Sequence, residues 1–148
     1  MPDFRSSSMH SGRDALEALY YGHSDRALFL RLDFCSHFSQ EHPAFEVRIN
    51  VDGESHTRCH ALIRDGNIRQ IHFWRRDEPL LVPLTTGDKL LAAFSHIFEV
   101  QMDYELLGIG ADQRAELQIS LWSNDLPLQI VPQQGWLKLE LASELESW

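Results

Sequence analysis

Three kinds of side chain in this sequence could carry chemistry: closely spaced carboxylates, histidines, and tryptophans on the polar side of alternating segments. Glu99, Asp103 and Glu105 lie close together in HIFEVQMDYELLG. Hydrolysis of a glycosidic bond needs two carboxylates roughly 5–10 Å apart over a cleft, one of them with a raised pKa. Here Glu99 occupies the polar face of an alternating segment and the other two open a turn, so all three read as solvated surface. Ser120, Ser123 and the eight histidines show no nucleophile-elbow pattern such as GxSxG. No catalytic residue, and hence no enzyme, is expected.

Metal and cofactor chemistry fare little better. His56 and His60 are four residues apart, a spacing that would share a zinc ion on a helix; on a strand it spans roughly 13 Å, at about 3.3 Å per residue. Asp25, Asp33, Asp52 and Asp125 could offer oxygens to calcium, but nothing in their spacing resembles DxDxDG, which leaves calcium a weak expectation. Haem would need axial ligands on facing strands, and Met102, expected to point inward, has no obvious histidine partner. Cys35 and Cys59 form no CxxC pair and are expected to be thiols, largely buried. No cofactor is expected.

Trp74, Trp122 and Trp136 are more informative. Alternation places them on the face opposite Ile71, Leu121 and Leu137, pointing away from the interior. Exposed aromatic rings give rigid flat surface on which sugar rings can stack through their C–H faces, while polar neighbours bind hydroxyls. Alternatively, the same rings seal a sheet face against another segment or domain. Tyr20 and Tyr21, near the expected sheet edge, complete the candidate ligand-binding set.

The elements that must position these residues follow from a period of two. ALFLRLDF places Leu28, Leu30 and Leu32 on one face, and FEVRINVDG does the same with Phe45, Val47, Ile49 and Val51 before an Asp52-Gly53 hairpin turn. SHTRCHALIRDG turns Cys59, Ala61 and Ile63 inward and ends at Asp65-Gly66. IRQIHFW buries Ile71 and Phe73, HIFEVQM buries Phe98, Val100 and Met102, and DYELLGIG reads as a helical turn closed by Gly108. RAELQISLW turns Leu117, Ile119 and Leu121 inward. LPLQIVP, with Pro127 and Pro132, reads as an edge strand, and GWLKLEL turns Leu137, Leu139 and Leu141 inward. Ahead of these strands, Ser11 and Asp14 resemble a capping box, which predicts a short N-terminal helix through Ala15, Leu16 and Leu19. The fold class is therefore an all-β antiparallel sandwich, immunoglobulin-like or jelly-roll-like, with a short N-terminal helix, in one domain over residues 1–148.

Composition narrows the partners. A chain of 148 residues can bury roughly 70% of its unfolded surface around one core. Thirteen basic residues stand against 22 acidic ones, a net charge of -9, which argues against binding a phosphate backbone. No apolar run approaches the roughly 20 residues of a membrane helix, and MPDFRSSSMHSG lacks the layout of a secretory signal. A soluble, cytoplasmic protein with no nucleic-acid or membrane partner is expected.

The order of segments also resembles a known family. SMHSGRDALEALYYGHSDRALFLRLDF is similar to the met-his, tyr-tyr-gly and strand opening of the C-terminal domain of family 57 glycoside hydrolases. IFEVQMDYELLGIGADQRAELQISLWSNDLPLQIVPQQGWLKLEL resembles that domain's closing half, with its leu-leu-gly turn and pro-x-x-gly-trp segment. The resemblance spans residues 8 to 141, and from about residue 53 to 90 it rests on strand pattern alone. Family 9 carbohydrate-binding modules and DOMON-like domains are similar sandwiches. The resemblance implies a non-catalytic accessory domain of an α-glucan-acting enzyme, binding an α-glucan or oligosaccharide or docking on the catalytic domain. A purely structural module with an aromatic docking face for a partner protein is the alternative. In that family a further strand rich in Gly, Phe, Glu and Trp usually precedes the met-his segment, and this chain begins almost at that point.

Overall fold

The computed structural model describes residues 5–7, 15–80, 90–109 and 114–140. It is an all-β antiparallel sandwich of two sheets. In chain order the elements are β1 (Arg5–Ser7), β2 (Leu16–His23), β3 (Ala27–Phe34), α1 (Phe38–Glu41), β4 (Ala44–Asp52), β5 (His56–Arg64) and β6 (Asn67–Arg75). They continue as β7 (Glu78–Leu80), β8 (Leu90–Phe94), β9 (Ile97–Asp103), α2 (Tyr104–Leu107), β10 (Arg114–Ser123), β11 (Leu126–Val131) and β12 (Leu137–Glu140). The smaller sheet runs β1-β2-β3-β9-β8; the larger runs β11-β10-β4-β5-β6-β7, with β12 pairing along part of β10.

Two-residue alternation explains both layers. Leu28, Leu30 and Leu32 of β3 and Phe98, Val100 and Met102 of β9 face Val47, Ile49 and Val51 of β4, Ala61 and Ile63 of β5, and Leu117, Ile119 and Leu121 of β10 across one continuous core. Most of these side chains are wholly withdrawn from water, so each contributes on the order of 1.5–3 kcal/mol of burial. At the end of the sandwich near α1, Phe34, Phe38, Phe45 and Phe94 pack ring on ring with centroids 4.9 to 5.8 Å apart.

The tight turns have the backbone that hairpins demand. Asp65 and Gly66 join β5 to β6 with φ of 53° and 79°, and Asn124 and Asp125 join β10 to β11 at 51° and 61°. Two consecutive positive φ values match the right-handed twist of the flanking strands and favour Asn, Asp and Gly. Arg76 and Asp77 adopt the same conformation between β6 and β7, within the charged RRDEP stretch.

One sequence expectation changes. Leu16 and Leu19, expected in the N-terminal helix, belong to strand β2, hydrogen-bonded to β3; the capping residues Ser11 and Asp14, and Leu141, expected to point inward, lie outside the described residues. The register of β2 slips between Leu16 and Ala18, so Leu16 and Leu19 both face inward across a β-bulge. A bulge thereby imitates the three-residue spacing of a helix. The short helices instead lie at α1 and α2. The expected turn closed by Gly108 is α2, whose end adopts a φ of 68° at that glycine.

Arg75 ties the sheets together at one end. From β6 its guanidinium donates to the carbonyl oxygens of Glu105 and Leu106 in α2, the first of which also accepts from the Gly108 amide. At the same end Tyr104 donates its hydroxyl to the Ser24 carbonyl at 2.7 Å, and burial pushes its pKa up to about 12.

Truncating Leu117 to alanine should cost about 2–5 kcal/mol of unfolding free energy, because its side chain lies at the centre of the core. Truncating the exposed Leu126 on β11 should cost no more than about 0.5 kcal/mol. Denaturant unfolding of the two variants measures the contrast.

Candidate functional site

The larger sheet has an outer face whose side chains line up in rows, because the strand register is fixed by the two hairpins around β5. One row runs Ser120, Arg48, His60, His72; the next runs Gln118, Asn50, Arg58, Trp74; a third runs Trp122, Glu46, Leu62, Gln70. Trp74 and Trp122 therefore share this face from opposite sides of its centre. Trp136, just ahead of β12, joins them by packing edge-on against His56 of β5, with ring centroids 6.1 Å apart. All three are half-buried and stand outside the core.

Arginines cover two of these rings. The Arg48 guanidinium lies 4.1 Å above the Trp122 ring, and that of Arg58 lies 5.0 Å from the Trp74 ring. Such cation–π contacts contribute about 0.5–2 kcal/mol according to their desolvation. His60 meets Trp74 edge-on at 4.7 Å and His72 stacks beside it at 5.9 Å. The Trp122 indole donates to the Ser120 hydroxyl at 2.8 Å. Arg48 reaches Glu46 at 3.2 Å and Asp125 at 3.9 Å, while its Nε is buried without a hydrogen-bond partner among the described residues. Arg58 reaches the exposed Asp77 at 3.2 Å.

At the middle of the face, burial first and then the Arg48 charge lower the pKa of His60 from 6.5 to about 4. The arrangement is a preformed layer of guanidinium, indole and imidazole groups, with amides from Asn50 and Gln118 alongside. Chemically it can stack, hydrogen-bond and pair charges.

The five aromatic residues singled out from the sequence do not form one site. Tyr20 stands on the outer face of the smaller sheet, opposite Arg31, whose guanidinium lies 5.2 Å from its ring. Tyr21, its chain neighbour, points inward and packs against the core. Alternation alone does not bring Arg48, Arg58, His60 and His72 to the tryptophan rings. Their signal was the register, since turns at Asp52-Gly53 and Asp65-Gly66 bring residues 48, 60 and 72 into one row.

The other candidates are dispersed. Glu99 lies on the outer face of β9, Asp103 at its end and Glu105 within α2. Asp33 is engaged by Arg31, and Asp25, Asp52 and Asp125 belong to separate inter-strand connections or their margins. Among the described residues no three His, Cys, Asp or Glu side chains gather as a metal site. Met102 is fully buried, and burial pushes the Cys59 thiol up to about 12. No helix among the described residues is long and apolar enough to cross a membrane.

His60 is expected to titrate near pH 4 in the folded chain, well below a free imidazole, which two-dimensional NMR of the ring resonances would follow. Because its folded pKa lies below the unfolded 6.5, its share of stability is complete above pH 6.5 and declines as pH falls towards about 4. His60→Gln should flatten that part of the stability curve. No family model matches the chain, and searches of curated proteins and of solved structures likewise find no match.

Proposed function

We propose that the chain is a non-catalytic accessory domain of an α-glucan-acting family 57 glycoside hydrolase, and that the tryptophan-bearing face of its larger sheet docks on the catalytic domain. The observation that carries this reading is the pairing of Trp122 with Arg48 and of Trp74 with Arg58 on one face. Tryptophan and arginine are the side chains most enriched where protein interfaces concentrate their binding energy. Beside them, β11 exposes Leu126, Leu128 and Ile130, and Ile130 pairs with Ser120 on the tryptophan side. Three of the four large apolar side chains exposed among the described residues thus lie along this edge. The resemblance of residues 8 to 34 and 97 to 141 to the accessory domain supplies the partner. No role in bond cleavage is assigned to the domain.

Carbohydrate binding on the same face is the second reading, favoured by Asn50, Gln118 and Ser120 beside the rings. Each stacked guanidinium lies over one of those rings, so a sugar would have to use a different side of the ring or displace an arginine.

The docking reading is tested with the family 57 catalytic barrel encoded in the same or the adjacent reading frame. Sedimentation should detect a complex, and Trp122→Ala should weaken it about 30-fold, the equivalent of about 2 kcal/mol. A barrel that ignores the chain, or the lack of any such neighbour, would remove this reading. Tryptophan fluorescence during titration with maltooligosaccharides addresses the second reading: a saturable change would place sugar on this face.

A further inference from the structure

The outer face of the smaller sheet carries a hollow of about 530 Å³, lined by Tyr20, Phe29, Arg31, Leu91, Glu99 and Gln101 among others. That volume lies within the roughly 300–1,000 Å³ of small-ligand sites. Its origin is legible in two adjacent rows. One runs Gly22, Phe29, Gln101, Leu91 and the other Tyr20, Arg31, Glu99, Ala93 across β2, β3, β9 and β8. Gly22 has no side chain and Ala93 only a methyl group, so each row has one short end, and the large side chains surround the gap.

The chemistry of the walls is specific. Phe29 is half-buried on an outer face and takes no part in the ring packing of Phe34, Phe38, Phe45 and Phe94. Leu91 is 45% exposed at the far end of the same row. Between them stands Gln101, whose amide has no hydrogen-bond partner among the described residues. Arg31 is already occupied: it holds Asp33 through two hydrogen bonds of 2.7 and 3.0 Å while lying against Tyr20. An acid in the hollow would therefore compete with Asp33 for that charge. Glu99, exposed in the adjacent row, adds an acceptor and a negative charge.

Aromatic and aliphatic surface alternates here with an amide and a carboxylate at the spacing of neighbouring strands. A long hydrocarbon chain would bury Gln101 unsatisfied, and an anion would meet Glu99. A ring with apolar C–H faces and a rim of uncharged hydroxyls satisfies both, stacking on Phe29 while donating to Glu99 and Gln101. We infer that this hollow is a binding site for a neutral saccharide unit, separate from the tryptophan face on the opposite side of the sandwich. The site does not depend on docking by the larger sheet, and the two readings fail in different experiments.

The test is calorimetric titration of the full chain with maltotriose, and with glucuronate as the charged counterpart. Maltotriose should bind with a millimolar dissociation constant and glucuronate about tenfold more weakly or not at all. No described tryptophan lines the hollow, so tryptophan fluorescence should change little on binding. Ala93→Tyr, which fills the hollow from an exposed position without removing a contact, and Phe29→Ala should each weaken maltotriose about tenfold. Trp74→Ala and Trp122→Ala should leave it unchanged. No heat at about 10 mM maltotriose, equal affinity for glucuronate, or loss of binding only in the tryptophan variants would each overturn the assignment.

Discussion

Everything displayed by this molecule depends on burial between its two sheets. Each strand commits alternate side chains to that layer, and interiors pack too densely for the register to slip by one residue without turning the whole set outward. Once Val47, Ile49 and Val51 are fixed inside, Glu46, Arg48 and Asn50 have no choice but the outer face. The same constraint on β3 fixes Phe29 and Arg31 outside the smaller sheet. The two surfaces given functional readings are the obligatory reverse sides of one core.

This explains how the molecule reconciles a net charge of -9 with arginine-lined surfaces. Arg31, Arg48 and Arg58 are each matched locally, by Asp33, by Glu46 and by Asp77, and each also lies against an aromatic ring. Exposed ion pairs are individually worth little. Stacked on indole or phenol, however, the guanidinium groups gain an ordered position, and the rings gain a polar cover that suits an aqueous surface.

Much of the fold was legible because alternation is a strong signal over eight or nine residues. The inward sets of β3, β4, β5, β9 and β10, the positive-φ turn at Asp65-Gly66 and the edge position of β11 all follow from it. Short elements carried too little pattern: α1, β7 and β8 have three to five residues each. In β2 the bulge disguised the period, and the error propagated. Adjacent residues of a strand point to opposite sides, so recognising β2 would have separated Tyr20 from Tyr21 at once. The tryptophans could be given a side from sequence, but their arginine and histidine neighbours could not, because those contacts depend on cross-strand register. The hollow was less legible still, since it arises from small residues at Gly22 and Ala93 on strands far apart in the chain.

The larger sheet also has an uneven history written into its connectivity. β4, β5 and β6 are joined by short hairpins and need only local encounters, whereas β10, which separates them from β11 and β12, arrives from about 70 positions beyond its partner β4. During synthesis the free hydrogen-bonding edge of β4 must therefore wait while β8 and β9 of the other layer emerge. A ribosome-bound intermediate of this protein would be a half-sandwich with one naked strand edge, and that edge is where a chaperone would have most to protect.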